Sequence, residues 1–161
     1  MQTPTKNPGL QGKLKMLADD LKTLLATQYA LSIKAQNFHW NVEGPDFAQY
    51  HDFFANFYEE VYSAVDKIAE YIRTLQEYSP GSFERFQELS IIQGQTKIPR
   101  ARLMFEELLE DNNIIINLLN QCFASATSEN KQGIANFIAE RLDAQEKHGW
   151  MLRSFLKDQR A

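Results

Sequence analysis

Three histidines and two of the carboxylates are the residues whose types and spacing could hold a metal ion. His39 stands in Asn37-Phe38-His39-Trp40-Asn41, His51 follows twelve residues later, Asp66 and Glu70 lie four residues apart, and His148 is near the far end. Imidazole with carboxylate is a donor set suited to iron or zinc. On a helix, the spacing of Asp66 and Glu70 puts both side chains on one face. With His51 as zero and about 100° per residue, Asp66 falls at about 60°, Glu70 at about 100° and the apolar stripe of the same helix at about 290°. The polar trio therefore occupies a second face beside the core face. His51 and Asp66 are fifteen residues apart, so about 22 Å separates them along the axis and one chain cannot bring both to one ion. A second, antiparallel copy would set His51 of one subunit against Asp66 and Glu70 of the other, and a two-fold axis makes two such sites. Tyr58 and Tyr62 lie between the ligand groups on that face and would fill the contact. The residues alone leave a plainer reading open, in which Asp66 and Glu70 are a solvated helix face and His148 is a packing or surface residue. The usual in-bundle di-iron centre needs Glu-x-x-His pairs on two helices, and the chain has no Glu-x-x-His.

Such residues need long helices to position them, and the periodicity predicts four. Leu14, Leu17, Leu21, Leu24, Leu25, Leu31 and Phe38 recur at three- and four-residue spacing, the mark of one apolar helix face. The breaker Gly44-Pro45 ends this helix. Tyr50, Phe54, Phe57, Val61, Val65, Ile68, Ile72 and Leu75 define a second helix, stopped by Ser79-Pro80-Gly81. Phe83, Phe86, Leu89 and Ile92 predict a short amphipathic helix within the connection. Pro99 opens a third long helix that turns Leu103, Leu108, Leu109, Ile115, Leu118, Leu119 and Cys122 to the core. After a turn at Thr127 to Asn130, a fourth runs from Lys131 to Lys157 and carries Ile134, Phe137, Ile138, Leu142, Met151, Leu152 and Phe155. Each long helix has about 28 residues, hence about 42 Å at 1.5 Å per residue. The expected fold is all-α: a four-helix bundle over residues 10–161, with a polar, flexible N-terminal tail over residues 1–9.

The composition fits one domain: 161 residues, 24% charged, with only seven glycines and five prolines. The single cysteine, Cys122, excludes a disulfide framework and a cysteine-based zinc site within one chain and suits a reducing compartment. No apolar run approaches the roughly 18 residues of a membrane span, and the N-terminus lacks the apolar core of a signal peptide. A cytoplasmic protein without a membrane partner is expected. The net charge of −4 argues against nucleic-acid binding by the body of the domain.

His39-Trp40-Asn41-Val42-x-Gly44-Pro45-x-Phe47, then His51, then Asp66-x-x-Ala69-Glu70, resembles the signature of the Dps family. Ser79-Pro80-Gly81-Ser82 and Lys147-His148-x-Trp150-Met151-Leu152 extend the resemblance over essentially the whole chain after the tail. It implies a ferritin-like four-helix bundle with a short extra helix between helices two and three, and a homo-oligomeric hollow shell, a dodecamer built from two-fold dimers. It implies ferroxidase sites at the two-fold interfaces, iron oxidised preferentially by hydrogen peroxide, and a mineral stored inside. In that pattern His39 and His51 of one subunit act with Asp66 and Glu70 of its partner as catalytic metal ligands, and Trp40 stands beside the site. Two positions depart from the family pattern. The aspartate usual four residues after the second histidine is Ala55 here, and the acidic residue that often lines the iron-entry pore is matched by Asn136. The first removes one metal-binding carboxylate, which implies weaker or slower iron chemistry, or zinc in place of iron. Two other functions fit the same shell: DNA compaction, or a purely structural cage with a vestigial site. For DNA the N-terminal region offers Lys6, Lys13 and Lys15 only, so DNA binding is not favoured.

Overall fold

Two helical termini follow directly from local residue chemistry. Pro8 stands at the first position of α1 (Pro8–Asn41), where a missing N–H breaks no helical hydrogen bond. Ser82 caps the short α4 (Phe83–Leu89) by accepting the Arg85 N–H at its side-chain oxygen. The computed structural model describes residues 8–157. Between α1 and α4 lie α2 (Phe47–Ser63) and α3 (Val65–Thr74), and after them α5 (Ala101–Ser128) and α6 (Gln132–Leu156). The described residues contain helices and no strand. The tail expected over residues 1–9 lies mostly outside the described residues, and the helix already begins at Pro8 rather than near residue 10.

The four long helices pack as an antiparallel bundle, with α2 and α3 together forming the second member. Leu17, Leu21, Leu24, Leu31 and Phe38 of α1 meet Phe54, Phe57 and Val61 of α2, Ile68 and Ile72 of α3, Phe105, Leu108, Ile115 and Leu119 of α5, and Ile138 and Leu152 of α6 in one buried core. The second helix is not continuous as the periodicity predicted. It breaks at Ala64, whose φ of −80° and ψ of −19° stay close to helical. The buried Gln28 of α1 donates its side-chain N–H to the Val61 carbonyl at 3.1 Å. In a continuous helix that carbonyl would accept from Val65, and a side chain inserted at the ladder is an ordinary cause of a kink. One apolar residue read as core-facing points outward instead: Leu103 is 44% exposed. Helical spacing identifies a stripe but not its edges.

A buried ion pair joins α1 to α5. The Lys34 ammonium lies 2.6 Å from Asp111, with only 6% and 9% of the side chains exposed. Burial pushes the Asp111 carboxyl above the usual carboxylate range despite the opposing pull of Lys34. Removing one partner strands a charge, whereas replacing both with apolar groups does not. Lys34→Met should therefore cost about 3–5 kcal/mol of stability, and Lys34→Met/Asp111→Leu should recover most of it in urea unfolding. Equal stabilities for the single and double variants would show that the pair is not what holds this layer.

Candidate metal centre

The corner between α1 and α2 brings the first two candidate ligands together. His39 sits in the last turn of α1, and Val42 continues the turn by donating to the Phe38 carbonyl. Gly44 then takes φ of +125°, a region L side chains avoid, and α2 starts three residues later. His51 stands in its second turn.

The two imidazoles hold each other through the backbone. His39 Nδ1 lies 2.8 Å from the His51 carbonyl oxygen, and His51 Nδ1 lies 2.8 Å from the His39 carbonyl oxygen. A carbonyl can only accept, so each Nδ1 carries the hydrogen. With Nδ1 as the donor, Nε2 of a neutral ring is the nitrogen that keeps a lone pair, the form a metal-binding histidine needs. The rings stack with centroids 3.8 Å apart. Phe47 packs on His51 at 5.0 Å, and Tyr58 packs on His39 at 5.5 Å with its ring tilted by 53°. Two oriented, half-buried nitrogen donors suit iron or zinc.

Asp66 and Glu70 are not part of this pair. Both are exposed on α3, and among the described residues neither has a hydrogen bond or ion pair. No three His, Cys, Asp or Glu side chains among the described residues gather closely enough to hold a metal ion. Ala55 lies one turn after His51 and offers only a methyl group. Trp40, next to His39, is 66% exposed. Tyr62 is 53% exposed and packs on Tyr29 of α1 at 5.9 Å rather than on the histidines.

His148 belongs to a different cluster in the middle of the bundle, made with residues the sequence motifs did not single out. Both terminal nitrogens of the Arg141 guanidinium donate to Glu60 of α2, one of them at 3.0 Å. His148 Nε2 lies 3.5 Å from the same carboxylate, and its Nδ1 lies 2.8 Å from the Gln145 side-chain amide. Asn112 of α5 donates to the Gln145 backbone carbonyl. Gln145-x-x-His148 has an amide where a Glu-x-x-His motif has a carboxylate, and the Arg141 guanidinium engages Glu60. A signal was available: Ile134, Ile138, Arg141, Gln145, His148 and Leu152 alternate at four- and three-residue spacing, which puts three polar residues on the buried stripe of α6.

Burial lowers His148 below its ordinary value, with Arg141 and Lys147 reinforcing this and Glu60 opposing. Burial works to raise Glu60, but the hydrogen bond and charge of Arg141 outweigh it and hold the acid below its usual range. Both groups thus have folded values below their unfolded ones. Their stabilisation is present above the unfolded values, 6.5 for His148 and 4.5 for Glu60, and is lost as pH falls through the folded values. Denaturation midpoints should fall on acidification below pH about 6.5, and the first part of that fall should flatten in His148→Gln. Parallel pH profiles for wild type and variant would show that His148 plays no part.

Known proteins match this architecture. The ferritin-like domain family model covers residues 18–161. A low temperature-induced protein of Nostoc is 34% identical over 151 residues, spanning 92% of this chain and 82% of its own length. DNA protection during starvation protein 2 of Bacillus anthracis is 29% identical over 88% of this chain and 97% of its own. Among solved structures, Dps of Staphylococcus aureus has a TM-score of 0.85 at 28% identity, covering 89% of this chain and 96% of that one. Dps of Vibrio cholerae, described as a ferritin-like diiron-carboxylate protein, has a TM-score of 0.87 at 25% identity, covering 91% and 92%. Fold and matches define a ferritin-like protein. Within that class, the chain belongs to the Dps family of miniferritins.

Proposed function

We propose that this chain assembles into a hollow homo-oligomeric shell, a dodecamer of two-fold dimers, which takes up ferrous iron, oxidises it at intersubunit sites and stores the ferric product. The observation that carries this reading is the reciprocal His39–His51 pair. It is oriented for metal, yet among the described residues it has no acidic partner, while the Asp66 and Glu70 side chains stand unpaired on α3. An antiparallel second copy would supply the missing acids to each pair. The exposed Trp40 and Tyr62 are the kind of surface such a contact covers.

Iron is here substrate and cargo. Two ferrous ions and one hydrogen peroxide with two protons give two ferric ions and two waters. His39 and His51 hold the metal through neutral nitrogen. The partner's carboxylates add the negative charge that favours the ferric product. Removing iron and peroxide together suppresses radical damage, which accords with the names of DNA-protection relatives such as that of Bacillus anthracis. Direct DNA binding is a second reading, and the net charge of −4 disfavours it. Zinc fits the same donors and would bind without oxidation.

Ala55 sets the expected rate. With no carboxylate at this position, one metal ion per site is held well and oxidation is slow. Ala55→Asp should speed peroxide-dependent iron oxidation by about 10-fold, the effect of roughly 1.4 kcal/mol in the transition state. His51→Ala should abolish metal binding in either background. Fast oxidation by wild type, unchanged by Ala55→Asp, would contradict this account of the pocket.

A further inference from the structure

We propose that the Tyr58 hydroxyl supplies the metal at the His39–His51 pair with the oxygen donor that Ala55 cannot give. This rests on the metal site proposed above and assigns it a further ligand.

Tyr58 lies three residues after Ala55 on α2. Side chains on a helix lean toward its N-terminus and cover the turn before their own Cα. The Tyr58 ring therefore leans over the Ala55 methyl toward the histidines. The observed contact agrees, with ring centroids of Tyr58 and His39 5.5 Å apart. A carboxylate at position 55 would compete for this space, and alanine leaves it open.

The rings on the two sides of the histidine pair differ in chemistry. Phe47 packs on His51 with a plain ring, and Tyr58 packs on His39 with a ring that carries a hydroxyl. Packing alone needs the ring and not the oxygen. Tyr58 is half-buried, and its hydroxyl makes no hydrogen bond among the described residues. The other tyrosines of α2 are engaged elsewhere. Tyr50 donates to Asp46 and packs on Phe105. Tyr62 packs on Tyr29, which in turn meets Phe86.

The charge balance also closes. An aspartate would bring one negative charge to the site. A phenol that binds metal releases its proton to solvent and brings the same charge on a hard oxygen, the donor type ferric iron prefers. Such a ligand favours the ferric product and slows its release, which suits a site that holds one ion firmly.

The test loads the full-length assembled protein with ferrous iron below one per subunit, adds peroxide, and records visible absorption and resonance Raman spectra. Wild type should show a phenolate-to-iron charge-transfer band with enhanced phenolate ring modes. Tyr58→Phe, which keeps the ring and should leave sedimentation unchanged, should lose the band. Tyr62→Phe should keep it, and Ala55→Asp should lose it by displacing the phenol. Cobalt(II) titration of wild type and His51→Ala measures the metal site independently. If cobalt binding depends on His51 but wild type shows no phenolate band, Tyr58 is not a ligand and the site itself stands. A band lost in Tyr62→Phe and kept in Tyr58→Phe likewise overturns the assignment. Cobalt binding indifferent to His51→Ala removes both the site and this ligand.

Discussion

Two hydrogen bonds from imidazole Nδ1 to backbone carbonyl fix the candidate metal site of this molecule. They run in opposite directions across one helical corner, so each histidine orients the other. The constraint works only if the last turn of α1 and the second turn of α2 lie side by side. Gly44 permits this by taking a backbone angle closed to other residues, and Phe38 and Phe54 lock the two helices together below the corner. Freezing both rings in one tautomer removes a cost that a metal ion would otherwise have to meet on binding. The rest of the site depends on that preparation.

The bundle interior shows what became of the alternative location for a metal. An ordinary di-iron bundle fills its centre with acids that repel one another until cations arrive. In this chain the central polar groups neutralise one another within the protein. Lys34 meets Asp111, Arg141 meets Glu60, and the buried side-chain amide of Asn112 donates to the Gln145 backbone carbonyl. Fixed cations occupy the interior. In the proposed reading metal chemistry belongs instead to the half-buried His39–His51 pair, and completion of that site by a second copy would tie function to assembly.

The fold was legible in the sequence because long helices repeat one signal many times. Leu17, Leu21 and Leu24 report the same face as Leu31 and Phe38, and no single residue decides the outcome. The kink at Ala64 was not legible, because Gln28, the residue that feeds it, is distant in sequence and carries no helix-breaking signature. Motif and spacing brought His39 and His51 forward as a pair. Their mutual backbone bonds were not legible, since these depend on the angle at Gly44. The Glu60–Arg141–His148 cluster was missed because long-range pairing of charges leaves no local pattern, although the polar residues on the α6 core stripe marked one side of it. Tyr58 read as a residue of the dimer contact, and its place against His39 emerged from the geometry.

The central claim is that each metal site is shared between two copies of the chain. Complementation in mixed assemblies tests it most directly. His51→Ala subunits lack the histidine half, and Asp66→Ala/Glu70→Ala subunits lack the acid half. Neither should bind metal tightly alone. After co-refolding in equal amounts, half of the two-fold pairs are mixed, and each mixed pair has one site with both halves intact. Tight metal binding should therefore return to about a quarter of the wild-type level, counting one intact site of two in half of the pairs. No recovery in fully assembled mixtures would contradict the shared site, and so would full binding by the Asp66→Ala/Glu70→Ala protein alone.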